Sequence, residues 1–167
     1  TAVMAGVVIA ALAFVKQIAD EQLKAISGEG DSADLTVTDA EAEILNEVDD
    51  HLTLFDFGGP LSFGAAADMG HHVRERIGRH DHRAIVLDFS RVPFIDVSAA
   101  RAVETIAVDA HIAGKRLYAC GIKADVCKVL TGLGVVDHLP ANMQYLTRLE
   151  ALEAAKVWIL EEDSPGT

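Results

Sequence analysis

Cysteine is scarce in this chain of 167 residues: there are two, Cys120 and Cys127. That count leaves no paired set for a disulfide scaffold or a zinc framework, and it fits buried thiols in a reducing compartment. Positive charge is also short. Fourteen Lys and Arg face 26 Asp and Glu, for a formal net charge of −12. Most of the excess lies in residues 20–50, with 11 acids against Lys24, and a smaller part in residues 153–167. What remains is close to neutral, so the chain has no basic footprint for a polyanion and nucleic acid is not an expected partner. Phosphate-binding loops are missing as well. GGPLSFG and TGLG contain glycine but have neither the Walker A nor the G-x-G-x-x-G spacing, and both read as turns.

Catalytic signatures are equally thin. No G-x-S-x-G elbow surrounds a serine. His111 follows Ser98 on one expected helix at a distance of about 20 Å, too far to act as its base. In HHVRERIGRHDH, His71, His72, His80 and His82 alternate with Arg and Glu, the pattern of a solvated face rather than of converging metal ligands. We therefore expect no metal, no cofactor and no enzymatic activity.

No apolar run reaches the roughly 20 residues that a membrane-spanning helix needs. The run AVMAGVVIAALAFV, residues 2–15, opens the chain and is closed by Lys16. The chain starts on Thr1, without a basic leader or a clear cleavage site. We read this run as the final turns of a transmembrane helix, with Lys16 at the cytoplasmic exit where basic residues gather; a buried or swapped soluble helix is the alternative. Four zones follow. Residues 1–26 are the membrane and juxtamembrane helix, and 27–50 an acidic linker in which DAEAEILNEV could form a short helix. Residues 51–157 are a compact domain, and 158–167 a C-terminal tail.

Within the domain, HLTLFDFGG reads as a strand ending at Gly58-Gly59-Pro60. AAADMGHHVRERIG has helical spacing, and RAIVLDFS is the nearly continuous apolar run of a central strand covered on both faces. SAARAVETIAVDAHIAGK puts Ala99, Ala102, Val103, Ile106, Ala107 and Ala110 on one stripe, stopped by Gly114. RLYAC is a further strand, KADVCKVLTGLG a helix closed by glycine, and ANMQYLTRLEALEAAKVWIL the last helix. This alternation predicts an α/β fold.

The segment RVPFIDVSAARAVE places Asp96 and Ser98 at the start of a helix. Unpaired backbone N–H groups and the positive end of the helix dipole favour an anion there. Either residue could cap the helix, a contribution of about 1 kcal/mol. Ser98 could instead be a phosphorylation site, adding about −1.5 to −2 of charge.

GGPLSFGAAADM, AIVLDFSRVPFIDVSAARAVE, GKRLYACGI and LTGLGVVDHL together resemble a STAS domain over about residues 51–155. More specifically, they resemble the cytoplasmic C-terminal STAS domain of SulP-type anion transporters. The resemblance implies a mixed β-sheet of four or five strands packed with about four helices. It also makes residues 1–26 the end of the last membrane helix. In anti-sigma factor antagonists, which share the later motif, a D-S-S-G sequence carries a regulatory phosphoserine. Asp96 matches its Asp and Ser98 its phosphorylated position, while Val97 and Ala99 replace the first Ser and the Gly.

The resemblance thus implies a non-catalytic regulatory or assembly domain of a sulfate- or bicarbonate-like transporter. It would be membrane-attached with the domain in the cytoplasm. Its partners would be the membrane domain of the same chain, a second copy in a homodimer, and a protein regulator. An anti-sigma factor antagonist switched at Ser98 is the alternative. A nucleotide or small ligand is a third reading, on a patch of Ser62, Phe63, Asp96 and Ser98, with no nucleotide motif behind it.

Overall fold

The computed structural model describes residues 37–62, 74, 75, 77, 78, 81–139 and 141–163. The apolar segment 2–15, Phe63, His71, His72, His80 and most of the helix expected over AAADMGHHVRERIG lie outside the described residues. Among the described residues, no helix is long and apolar enough to cross a membrane.

Four strands form one sheet in the order β1 (Leu52–Asp56), β2 (Ala84–Asp88), β3 (Arg116–Cys120) and β4 (Gln144–Tyr145). Every described pairing is parallel, from Leu52↔Ala84 to Asp56↔Asp88, from Ala84↔Arg116 to Asp88↔Cys120, and at Ala119↔Gln144 and Cys120↔Tyr145. The resemblance had implied a mixed sheet. Each connection here is long enough to return the chain to its starting end, which is the condition for parallel pairing. All five residues of β2 are buried, as expected of a central strand with both faces covered.

Two cores flank the sheet. On one face, Phe55, Ile85, Leu87, Leu117 and Ala119 pack under α2 (Val97–Ile112) and α3 (Ala124–Gly132). On the other, Leu52, Ala84, Val86, Tyr118 and Cys120 pack under α1 (Asp39–Val48) and α4 (Arg148–Asp163). The α2 stripe agrees closely with the periodicity: Ala99, Val103, Ile106, Ala107 and Ala110 are buried, joined by Ala100, while Ala102 is only partly buried. Its end is a Schellman closure, with Gly114 at φ 70°, Gly114 N–H donating to His111 O at 3.0 Å and Lys115 N–H to Ala110 O at 2.9 Å.

Four expectations shift. Residues 39–48, read within the linker, form α1, and Ile44 and Val48 are buried in the second core. The helix starts at Thr38, whose hydroxyl accepts from Glu41 N–H while the Glu41 carboxylate accepts from Thr38 N–H at 2.8 Å, a reciprocal capping box. The expected last helix over 141–160 is divided into a 3-10 turn (Ala141–Met143), β4, and α4. Thr147 and Glu150 cap α4 in the same reciprocal way. Helix α4 then runs to Asp163 with Ile159 buried, so residues read as tail belong to the core. Cys120 is buried as expected, but Cys127 is half-buried and lies 3.9 Å from the Thr131 hydroxyl.

Candidate functional site at the carboxyl edge of the sheet

Open parallel sheets present their loops and helix N-termini at the carboxyl ends of the strands, where α/β proteins build their sites. Here that edge carries Asp56, Asp88 and Cys120 at the strand ends and Asp96 at the start of α2. A parallel bridge joins the loops that follow β1 and β2: Leu61 N–H donates to Phe94 O at 3.2 Å, and Asp96 N–H donates to Leu61 O at 3.0 Å. This fixes the chain around Ser62 beside the α2 start. Phe63, the fourth member of the expected patch, lies outside the described residues.

Asp96 caps α2. Its backbone is extended, and its Oδ1 accepts from Ala99 N–H at 2.8 Å. Ser98 is one turn position inside the helix and exposed, and its hydroxyl bonds no described residue. Phe94 and Val97 are exposed beside it, 52% and 60% accessible. Ala99, at the position of the antagonist glycine, points its methyl into the core. The two residues are therefore divided between tasks. Asp96 holds the helix start, and Ser98 is displayed on an apolar surface.

A second constellation was not read from the sequence. In the β1–β2 register, Asp56 lies directly beside Asp88, and two neighbouring carboxylates repel each other. Arg148, at the first position of α4, sits between them, with Nη1 at 3.2 Å from Asp56 Oδ2 and 3.4 Å from Asp88 Oδ2. Its other atoms bind Glu41 of α1, Nε to Oε1 at 3.0 Å and Nη2 to Oε2 at 3.2 Å. Arg91 closes the exposed side of Asp56 through Nε and Nη2 at 3.1 and 3.0 Å. Asp88 Oδ1 accepts from Ser90 N–H at 2.8 Å and from the Ser90 hydroxyl. No side-chain polar atom buried among the described residues lacks a partner.

The electrostatics follow from this packing. Burial alone would raise the Glu41 carboxyl, but hydrogen bonds from Arg148 and Thr38 hold it below the ordinary carboxylate value. Burial opposes the Arg148 charge, yet Glu41, Asp88 and Asp56 together raise its affinity for the proton. Burial, with Asp88 adjacent, pushes the Cys120 thiol far up, so it is inert. The arrangement suits a structural clasp between α1, α4 and two strand ends. A readable signal existed: two strands each ending in Asp, and the cap pattern T-x-x-E at both 38–41 and 147–150. His82, from the histidine run, hydrogen-bonds Thr53 at 2.9 Å.

The family model described as STAS domain matches residues 43–148. The chain belongs to the STAS domain family. Along almost its whole length it is also similar to curated transporters. It is 31% identical, over 170 aligned residues, to the bicarbonate transporter BicA of Synechocystis sp., taking in 99% of this chain and 30% of that protein. It is 27% identical to the BicA of Picosynechococcus sp., over 99% of this chain and 29% of that one. The STAS chain thus spans under a third of the relatives it matches. Among solved structures, the STAS domain of a SulP transporter from Vibrio cholerae superposes with a TM-score of 0.62 at 20% identity, over 74% of this chain and 99% of that one. The murine anion transporter Slc26a9 gives 0.57 at 18%, over 64% of this chain and 18% of that one. Both share the STAS fold.

Proposed function

We propose that this chain is the cytoplasmic STAS portion of a SulP-type transporter of bicarbonate or a related anion, attached through the apolar segment 2–15. The observation that carries the reading is the BicA match over 99% of the chain, which takes in residues upstream of the STAS family match as well as the domain itself. The domain acts without catalysis, through protein contacts made within a homodimer and with the membrane part. To regulate transport it must bind two transporter states unequally, since equal binding shifts no equilibrium. The test compares the whole chain with one beginning at Val37. We expect the whole chain to need detergent or liposomes and the shorter chain to be soluble; equal solubility in buffer would remove the membrane attachment. Deleting residues 37–163 from the parent protein should alter bicarbonate uptake at unchanged membrane abundance.

A second reading concerns Ser98, because it is exposed on an apolar surface at a helix N-terminus. Phosphorylation there would switch a protein contact at Phe94 and Val97, with the soluble antagonist role as the alternative setting. Phosphate-affinity electrophoresis of the protein from its host, with Ser98→Ala as the control, decides whether the residue is ever modified.

A further inference from the structure

Helix α4 carries apolar side chains outside the core as well as within it. Ala151, Leu152, Ala155 and Ile159 face the core, yet Val157 and Leu160 are 55% and 47% accessible on the outside. Beside its outer face lies the sheet edge, where β4 pairs only with β3 among the described residues. Between them runs an open groove of about 750 Å³, with Met143, Leu146, Val157 and Trp158 among its apolar lining. Leu146, at its mouth, is 86% accessible. Glu150, Glu153 and Glu161 line the groove from α4 on either side of Val157, and among its described lining residues the cation is Arg116, whose guanidinium stacks 4.9 Å from the Trp158 ring centre, with Arg83 6.0 Å from the same ring.

We propose that this groove is the seat of a basic amphipathic segment from the cytoplasmic side of the membrane part of the same protein. Apolar side chains would enter between Leu146 and Val157, and Lys or Arg would meet Glu153 and Glu161. The charge pattern selects this occupant. A second copy docking by two-fold symmetry brings the same patch to both partners and would gather the glutamates of both at one interface. An anionic lipid surface would be repelled by the same rim. Cytoplasmic loops of membrane proteins, in contrast, carry an excess of Lys and Arg. The inference rests on the transporter reading above, which supplies the membrane part.

Two experiments test it. Trp158 is the only tryptophan of the chain and reports on the groove directly. A tryptophan-free amphipathic Leu/Lys peptide of about five helical turns should shift Trp158 emission saturably. The Glu153→Lys/Glu161→Lys variant should bind it about tenfold more weakly, with the two Glu→Gln changes intermediate. These positions are exposed and leave the Thr147–Glu150 cap intact. A Leu/Glu peptide should give no shift. Equal binding of the basic peptide by the reversed variant, or binding of the acidic peptide, overturns the proposal.

In the parent protein in its own membranes, a photo-crosslinking residue at Val157 should join the chain to a Lys- or Arg-bearing segment of the membrane part, and one at exposed Ile112 should not. Adducts to lipid or to a second STAS domain, or none, overturn it. Anion uptake measured on the same membranes keeps the two readings apart. Uptake without the Val157 adduct sinks the groove alone, and absence of membrane spans in the parent sinks both.

Discussion

Gly121 follows β3 at φ 67°, and an added Cβ would lie 2.7 Å from both Ser90 Cα and Ser90 N. A backbone neighbour cannot move aside as a flexible side chain can. Left-handed strain and overpacking therefore add, and Gly121→Ala should cost about 2–5 kcal/mol in urea unfolding. Arg148 is the other sensitive position. Arg148→Met leaves Glu41, Asp56 and Asp88 with Arg91, beside Asp56, as the remaining cation among the described residues, and removing one partner of a buried ionic set costs about 3–5 kcal/mol. Ser98 contrasts with both. A charge there sits at the favourable end of the α2 dipole, so Ser98→Asp should leave the melting temperature unchanged or slightly raised, worth about 0.3–1 kcal/mol. Any effect of that substitution on binding would then come from the surface beside Phe94 and Val97 and not from unfolding.

At the scale of elements, α1 depends on pH through Glu41. Its carboxyl is held below the ordinary value of 4.5 in the folded chain. A depressed folded pKa gives stability that is present above the unfolded value and is lost as pH falls through the folded one. We expect melting temperature to drop as pH is lowered below about 4.5, the usual carboxylate region, with hydrogen exchange in α1 rising first. Glu41→Gln should start less stable at neutral pH and show a shallower decline. Equal slopes for the two proteins would place the acid sensitivity elsewhere. Helix α1 was legible only in part. The pattern T-D-A-E marks its start and Ile44 and Val48 its inner face, yet the surrounding Gly, Ser and Asp read as a tether. The single helix expected over 141–160 failed for a related reason, since the T-R-L-E cap restarts the chain after a two-residue strand too short to have a periodicity.

For the whole molecule, the clasp gives the STAS body an N-terminal boundary ahead of β1. A chain beginning at His51 would uncover the pocket filled by Ile44 and Val48, two buried side chains worth about 1.5–3 kcal/mol each, and would leave Arg148 without Glu41. It should melt well below a chain beginning at Val37, as calorimetry would detect.

The sequence by itself determined the α/β alternation, the buried central strand, and the α2 stripe with its glycine stop, and its motifs carried the resemblance to the STAS family. The elements are written in short-range periodicity and turn chemistry, and the family in the resemblance of its motifs. Only the tertiary structure decided that Asp96 rather than Ser98 caps α2, that Asp56 and Asp88 are neighbours, that Glu41 reaches Arg148 across 107 residues, and that Val157 and Trp158 of α4 line a groove beside a sheet edge. Register and packing bring such groups together across long stretches of chain, and contacts of that separation have no local signature.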